Sequence, residues 1–184
     1  KFKECDQPVI KTREPGGTAL GEQVRQILLH QKTTPICDVA EILLFLTSRA
    51  QQIAEVIMPH LEQGYIVLCD RYNDSTIAYQ GIARGVGQTY TEELCALACK
   101  QLQPHLTFVL DLDPEIGLQR ARGHDPQWDR LESLNIDFHE KVRKGYQKLA
   151  LDNPNRVILI DATQSPEAIF QRCFEIIESS QVNL

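Results

Sequence analysis

The stretch Tyr65-Ile-Val-Leu-Cys-Asp-Arg-Tyr-Asn-Asp-Ser-Thr76 decides the fold of this 184-residue chain. It begins after Gly64 with an apolar run, Tyr65 to Cys69, that is rich in strand formers and too short for a helix. This run predicts a strand buried on both faces. Asp70 and Arg71 then fall at the carboxyl end of the strand, where open α/β sheets bind their ligands. An acid beside an arginine there suits a metal ion and a phosphate, although an ordinary salt bridge explains a lone pair of this kind more simply.

Three further apolar runs extend the prediction to an α/β fold. Strands are predicted at Pro8–Thr12, Leu106–Asp111 and Val157–Asp161, and helical patterns lie between them. Such alternation is typical of a parallel sheet with crossover helices. The length suits one domain, and there is no linker or internal repeat, so we expect a single domain over residues 1–184. The helical patterns used below are Leu20–Leu29, Cys37–Gln63 and Leu131–Asp152.

Charge and cysteine content narrow the class of partner. The net charge of −6 gives no general attraction to nucleic acid or to an anionic membrane. No apolar run approaches the ~20 residues of a membrane-spanning helix. The six cysteines are scattered without a Cys-x-x-Cys pair, which argues against a zinc site. We therefore expect reduced thiols, a cytoplasmic setting and small-molecule partners.

Two helical segments, Cys37–Gln63 and the helix expected after Arg71, carry side chains suited to holding a flat base. Phe45 and Arg49 are four residues apart, so a ring and a guanidinium project over the same patch. Thr76, Tyr79 and Gln80 share one polar helical face, and a glutamine offers both a donor and an acceptor to a base edge. When the first helix is considered alone, a core phenylalanine beside a surface arginine is the simpler interpretation.

Two other segments have the composition of loops that a ligand could contact. Arg13-Glu-Pro-Gly-Gly-Thr18 combines a proline with two glycines, which let a ligand approach the main chain closely. Most loops of this kind are only turns. The segment Arg120–Arg130 is rich in Gly, Pro and Asp and carries three arginines between two helices. A lid that closes on phosphates and a solvated helical hairpin explain it equally well.

Together these segments resemble the bacterial-type thymidylate kinase (dTMP kinase) family, over nearly all of the chain from Val9 to about Ile177. The motifs that carry the resemblance are Thr12-Arg-Glu-Pro-Gly-Gly-Thr18, Phe45-Leu-Thr-Ser-Arg-Ala-Gln51, Asp70-Arg-Tyr-Asn-Asp-Ser-Thr-Ile-Ala-Tyr-Gln80, Arg120-Ala-Arg-Gly123 and Ile160-Asp-Ala-Thr-Gln164. Each is modest alone, and their order and spacing make the set highly specific. The resemblance implies a P-loop nucleoside monophosphate kinase-like fold, transfer of the γ-phosphoryl group of ATP to dTMP with Mg²⁺, and a homodimer.

The resemblance also assigns residues to the dTMP site. Phe45 would stack on the thymine, and Arg49, Thr76 and Gln80 would contact the edge of the base. Tyr79 would lie under the deoxyribose. The full set of implied substrate-binding residues is Glu14, Arg25, Phe45, Arg49, Arg71, Thr76, Tyr79, Gln80 and Tyr146.

A second implied set serves the reacting phosphates and ATP. The dTMP phosphate would be held by Arg25 and Arg71, and the metal would lie on the side of Asp70 and Glu14. The turn Ala162-Thr163-Gln164 would pack near the adenine. These roles suit phosphoryl transfer, which depends mainly on positioning and charge stabilisation. The candidate catalytic residues, three of them in a lid over about residues 120–130, are Arg71, Arg120, Arg122 and Arg130.

One family feature has no counterpart in this sequence. The family opens with a strand, a G-x-x-x-x-G-K-[ST] loop that cradles phosphates, and a helix. This chain has eight residues before Val9 and contains no Gly-Lys-Ser/Thr. We therefore expect that a first segment, including a central strand, is missing from this sequence and that the 184-residue chain alone is inactive. Two alternatives stay open: a kinase for another nucleoside monophosphate, and a nucleotide-binding fragment without catalysis.

Overall fold

The computed structural model describes residues 8–30, 35–124 and 129–180. Its elements are β1 (Val9–Arg13), α1 (Ala19–Arg25), α2 (Asp38–Gln52), α3 (Met58–Glu62), β2 (Ile66–Asp70), α4 (Asn73–Thr76), α5 (Gln88–Cys99), β3 (Thr107–Asp111), α6 (Pro114–His124), α7 (Ile136–Asp152), β4 (Val157–Asp161) and α8 (Pro166–Ser179), with π-helical turns at Gln26–His30, Ile53–Ile57 and Ile77–Ala83. The predicted α/β fold with parallel strands and flanking helices is confirmed. Among the described residues, no helix has the length and apolar character needed to cross a membrane.

The described strands form two parallel pairs, where the sequence predicts one sheet. In the first pair β1 lies beside β2, with Val9 opposite Ile66, and in the second β3 lies beside β4, with Thr107 opposite Val157. The prediction of a strand buried on both faces at Tyr65–Cys69 is wrong, since Leu68 of β2 is 40% exposed, and Leu110 of β3 is likewise 57% exposed. Full burial requires neighbouring strands on both sides and helices on both faces, and a two-stranded pair lacks that cover.

A buried ionic cluster joins the two pairs. Asp74, on α4 after β2, is 3% exposed and receives two hydrogen bonds of 2.7 Å from the guanidinium of Arg156, which precedes β4. Thr107 Oγ1, at the start of β3, donates to the same carboxylate at 2.9 Å. The amino ends of β3 and β4 therefore meet the segment that follows β2. Their carboxyl ends lie a strand length away, roughly 13 Å at about 3.3 Å per residue.

The predicted helix from Cys37 to Gln63 is one continuous helical run, made of α2, a π-helical turn and α3. Its inward surface has two chemically different sides. The apolar side packs against α5, with Ile42 and Leu46 contacting Cys95. The other side consists of buried polar residues, which form the candidate site described below. α2 is thus both a core helix and the support of the site.

The last long helix starts later than its sequence pattern suggests. Helix is predicted from Leu131, whereas α7 begins at Ile136. The reason is a capped turn before it: the Asp129 carboxylate accepts hydrogen bonds from the backbone N–H groups of Leu131 and Glu132 at 2.7 and 2.8 Å. The side chain of Asn135 then caps α7. Local side-chain acceptors of this kind compete with continued helix.

His139, in the first turns of α7, should make the fold sensitive to mild acid. Its Nε2 is buried without a hydrogen-bond partner among the described residues, and burial lowers its pKa below the usual 6.5. The unfolded chain then binds the proton more readily, so stability declines as the pH falls below about 6.5. We expect the parent protein to lose unfolding free energy between about pH 7.5 and about pH 5.5 in urea titrations.

In the same titrations, His139→Phe should lose less stability than the parent because the group that takes up the proton is gone. His105→Gln, which removes an exposed histidine, should behave like the parent. Equal losses in the parent and in His139→Phe would contradict this prediction.

Candidate active site

The candidate site is built on the polar side of α2. Glu41, Ser48, Arg49 and Gln52 are all at most 1% exposed. Their spacing puts them on one helical face, with the half-buried Phe45 between them. Buried polar groups need hydrogen-bond partners. Most of their partners lie on the loop after β1 and on the helix that follows β2.

Arg49 is at the centre of this arrangement. Its Nε and Nη2 contact Glu14 Oε2 at 2.7 and 2.6 Å, and Nη2 donates to Thr76 Oγ1 at 3.0 Å. The guanidinium carbon lies 5.2 Å from the ring centroid of Tyr72. Burial by itself would lower the pKa of Arg49, but the Glu14 carboxylate raises it above its ordinary value. The structure thus brings together Arg49 and Thr76, both predicted for the base, and adds Glu14, predicted for the phosphates.

Glu14 has one engaged oxygen and one free one. Oε2 is bound to Arg49, while Oε1 is buried and has no hydrogen-bond partner among the described residues. Burial raises the pKa of Glu14, with the charge and hydrogen bond of Arg49 acting in the opposite direction. Glu14 is joined by a cis peptide bond to Pro15. Its backbone N–H donates to the carbonyl of Asp70 at 2.9 Å, which ties the loop after β1 to the end of β2.

Two α2 side chains that the sequence analysis missed hold the Pro-Gly-Gly loop in place. Ser48 Oγ accepts from the Gly16 N–H at 3.0 Å, and Gln52 Nε2 donates to the carbonyls of Arg13 and Gly16 at 2.7 and 3.0 Å. Gly17 has a φ of +78°, and a Cβ there would collide with the Gln52 side chain. Both the conformation and the close approach therefore require glycine. The signal available in the sequence was the helical spacing of the polar residues themselves.

Gln80 is held by another residue that the sequence analysis missed, Glu41. Gln80 Nε2 donates to Glu41 Oε1 at 2.9 Å, and both side chains are at most 1% exposed. Glu41 also accepts from Arg84 Nη2 at 3.2 Å and from Arg130 Nη2 at 2.5 Å. Burial would raise the pKa of Glu41, but these hydrogen bonds and charges hold it below the usual value. Arg130, predicted for the lid, therefore lies in a buried cluster in this structure and also donates to the Leu28 carbonyl at 2.8 Å.

The predicted sugar and pocket residues form an aromatic cluster. The ring of Tyr79 meets that of Tyr146 edge to face at 6.4 Å and that of Phe138 at 6.0 Å. The Arg71 guanidinium lies 5.2 Å from the Tyr79 ring centroid. Tyr146 donates from its hydroxyl to Ser75 Oγ at 2.7 Å, and burial raises the pKa of Tyr146 to about 12. The structure therefore brings Arg71, Tyr79 and Tyr146 together.

The predicted phosphate residues gather where the loop after β1 meets the end of β2. Asp70 and Arg71 are exposed there, and Arg71 adopts a φ of +68°. Arg25 Nη1 donates to the Pro15 carbonyl at 2.9 Å. In the described parts of the chain, no three His, Cys, Asp or Glu side chains form a metal-binding group. Protein sites for Mg²⁺ commonly use one or two carboxylates plus substrate phosphates, which the exposed Asp70 and the free Oε1 of Glu14 would fit.

The predicted ATP-side residues lie at the carboxyl end of β4, beside a cleft of about 480 Å³. Arg120 Nη1 donates to the Ala162 carbonyl at 2.9 Å. Asp161 accepts hydrogen bonds from Thr163 and Gln164, which lower its pKa to about 2. The side chain of Arg122 and residues 125–128 of the predicted lid lie outside the described residues. The contacts seen in the described structure join Arg120 to this turn and Arg130 to Glu41, so these two arginines belong to different parts of the molecule.

Comparison with known proteins gives consistent matches along the chain. A family model for thymidylate kinase matches residues 1–173. The thymidylate kinase of Protochlamydia amoebophila is 48% identical over 184 residues, covering 96% of this chain and 82% of that protein. That of Latilactobacillus sakei is 43% identical over 183 residues, covering 99% and 86%. The crystal structure of thymidylate kinase from Ehrlichia chaffeensis has a TM-score of 0.73 and 31% identity, over 92% of this chain and 80% of that chain.

The parallel strands, their flanking helices and the match to that crystal structure define the class first: a P-loop nucleoside monophosphate kinase-like α/β protein. Within the class, the chain belongs to the thymidylate kinase family. The resemblance found in the sequence motifs is thereby confirmed.

Proposed function

We propose that this protein transfers the γ-phosphoryl group of ATP to dTMP and so forms dTDP. Family membership supports the reaction class, and one structural observation supports the choice of base. α2 is joined to the helix after β2 by two hydrogen bonds, Arg49 to Thr76 and Glu41 to Gln80. Phe45 lies midway between Glu41 and Arg49 on the same face of α2. An aromatic face thus has a donor group on one side and an amide on the other, which suits a flat base with a polar edge.

The half-buried Phe45 ring is expected to provide the stacking surface for thymine. Phe45→Ala should weaken dTMP binding by about 1–3 kcal/mol, the scale of losing one base–aromatic stack. Isothermal titration calorimetry with dTMP measures the change. Phe170→Ala removes an aromatic ring that is 54% exposed on α8 and should leave the affinity unchanged. Equal affinities of the parent and Phe45→Ala would remove Phe45 from the pocket.

The phosphates would be handled by cations at the end of β2. Arg71 is exposed there, and Arg25 is held nearby through the Pro15 carbonyl. A guanidinium can bind phosphate oxygens with two parallel hydrogen bonds. Asp70 and Glu14 are the residues that would hold magnesium, which when bound neutralises charge on the reacting phosphates. On the ATP side, we propose that Arg120 acts beside the adenine turn and that Arg122 belongs to the same lid segment.

A substrate panel tests this function. The protein expressed from its complete gene is incubated with ATP, Mg²⁺ and each of dTMP, dCMP, dAMP and dGMP, and diphosphate formation is followed by chromatography. dTDP should be the dominant product. Phosphorylation of another monophosphate in preference to dTMP would favour the alternative kinase. Binding of dTMP without turnover would favour a nucleotide-binding protein without catalysis.

We also propose a homodimer that uses the exposed apolar side of α2. Val39 and Leu43 on α2 are 52% and 50% exposed, and Leu97 on the neighbouring α5 is 79% exposed. Apolar surface of this kind often marks a protein interface. Sedimentation velocity should give a dimer for the parent and a larger monomer fraction for Leu43→Glu. A monomeric parent would contradict the proposal.

A cytoplasmic location is proposed as well. The cysteines of the described residues are free thiols, as expected in a reducing compartment. They are Cys37, Cys69, Cys95, Cys99 and Cys173.

A further inference from the structure

Glu41 is a fully buried carboxylate that the proposed reaction does not use. It is 0% exposed and receives hydrogen bonds from Gln80, Arg84 and Arg130. An ionised carboxylate can only accept hydrogen bonds, and a guanidinium can only donate them. Burial alone would raise the pKa of Glu41, but the hydrogen bonds from Gln80 and Arg130 and the charges of the two arginines hold it below the usual value, so Glu41 stays charged. Every group that faces Glu41 must therefore be a donor.

This requirement determines the orientation of the Gln80 amide. The nitrogen and oxygen of a glutamine side chain have nearly the same shape, so hydrogen-bond partners decide which way the group turns. Next to an acceptor-only carboxylate, the NH₂ end is the stable choice, and it is the end seen at 2.9 Å from Glu41 Oε1. The amide oxygen is then directed away from Glu41. Gln80 is 1% exposed, so a reversed amide would leave buried groups without suitable partners.

We propose that Glu41 is a positioning residue for base selection: it turns the Gln80 amide so that the oxygen faces the bound base as an acceptor. This inference rests on the proposed dTMP site. Arg49, at the other end of the same α2 face, carries only donors, and its Nη1 is engaged by nothing stronger than the Cys95 sulfur at 3.7 Å. A donor beside an acceptor matches the carbonyl and ring N–H on the edge of thymine. Cytosine presents an amino group and an unprotonated ring nitrogen instead, so both contacts would be mismatched, and unpaired buried groups reject a ligand strongly.

The test compares dTMP and dCMP binding by competition titration, using the protein expressed from its complete gene. In Glu41→Gln the side chain at position 41 can donate as well as accept, so the Gln80 amide is free to reverse. We expect the dTMP preference over dCMP to fall at least about tenfold, mainly through weaker dTMP binding and stronger dCMP binding. Arg84→Met is the matched control because it removes another partner of Glu41 and leaves the Glu41–Gln80 hydrogen bond. Its dTMP preference should stay within about twofold of the parent.

Each outcome decides between positioning and simple stabilisation. An unchanged preference in a folded Glu41→Gln variant overturns the inference. Equal losses in Glu41→Gln and Arg84→Met also overturn it, since they would follow from stability alone. A parent that does not bind dTMP at all would instead contradict the proposed function.

A second measurement does not depend on the folding of the Glu41 variant. In the parent without ligand, the side-chain NH₂ signal of Gln80 is identified in amide NMR spectra by its absence in Gln80→Glu. We expect slow exchange with solvent because this group is buried and hydrogen-bonded to Glu41. Fast exchange of that signal contradicts the proposed orientation.

Discussion

Arg49→Met is expected to lower the unfolding free energy by about 3–5 kcal/mol, because it leaves the Glu14 carboxylate buried without its cation. The two side chains are 1% and 2% exposed, and their closest atoms lie 2.6 Å apart. The variant also removes the donor to Thr76, which is 1% exposed. Urea unfolding near neutral pH measures the loss, with unchanged m-values as evidence that the two-state transition is preserved.

Two controls separate the buried pair from charge in general. Arg13→Ala breaks the Arg13–Glu22 pair, whose side chains are 53% and 44% exposed, and should cost less than about 1 kcal/mol. The double variant Glu14→Met/Arg49→Met replaces both charges by apolar groups and should recover much of the stability lost in Arg49→Met. A loss under about 1 kcal/mol in Arg49→Met would show that the pair contributes no more than a surface pair. A double variant less stable than the single one would contradict the explanation by an unpaired charge.

Arg71→Ala is expected to lower kcat/KM for dTMP by about 10²–10³-fold, or about 2.7–4 kcal/mol, the usual effect of removing one preorganised donor from a charged transition state. Arg71 lies at the end of β2, and its guanidinium carbon is 5.2 Å from the centroid of the Tyr79 ring. Steady-state kinetics with dTMP as the varied substrate measure the change. A loss in kcat/KM of less than threefold would remove Arg71 from the phosphate site.

The backbone conformation of Arg71 should lower the stability of the fold, although its side chain is needed for activity. Its φ of +68° is the left-handed conformation, which costs a non-glycine residue about 1 kcal/mol. Arg71→Gly should therefore be more stable than Arg71→Ala by about 1 kcal/mol, while the two are equally impaired in turnover. Lys100, with a φ of +48° at the end of α5, is the matched control. Lys100→Gly should gain similar stability without loss of activity. An equal loss of kcat/KM in Lys100→Gly would show that the effect of Arg71 comes from the backbone.

The parts of the fold that were predictable from the sequence are those that depend only on residues close together in the chain. The apolar run before Asp70 is a strand, with bounds within one residue of the prediction. The pair Ser165-Pro166 is a local helix-start signal, and Ser165 caps α8 by accepting from the Ala168 N–H at 3.3 Å. The way the two strand pairs are joined depends on contacts between distant segments, such as Arg156 with Asp74, and no periodicity encodes those.

The candidate site also contains residues that were predictable from the sequence and residues that were not. Arg49 and Thr76 were predictable from motifs, and they are hydrogen-bonded to each other. Glu41, Ser48 and Gln52 were missed because polar side chains on a helix of a globular protein usually face solvent. Their own spacing of seven and four residues is helical, so a search for a polar periodic face would have found them. The partner of Arg130 could not be found that way, because Glu41 is 89 residues distant in the chain.

The way Arg49 is held has a consequence for the thermodynamics of dTMP binding. A free arginine side chain has roughly 2 kcal/mol of rotamer entropy to lose when it is fixed. Here Glu14, Thr76 and the Tyr72 ring fix the guanidinium in the protein without ligand, so that loss occurs during folding. The proposed contact of the base with Arg49 would then require no further ordering of this side chain. The affinity contributed by Arg49 should therefore be mainly enthalpic, and the Glu14 carboxylate would act on binding through the order that it imposes on Arg49 beforehand.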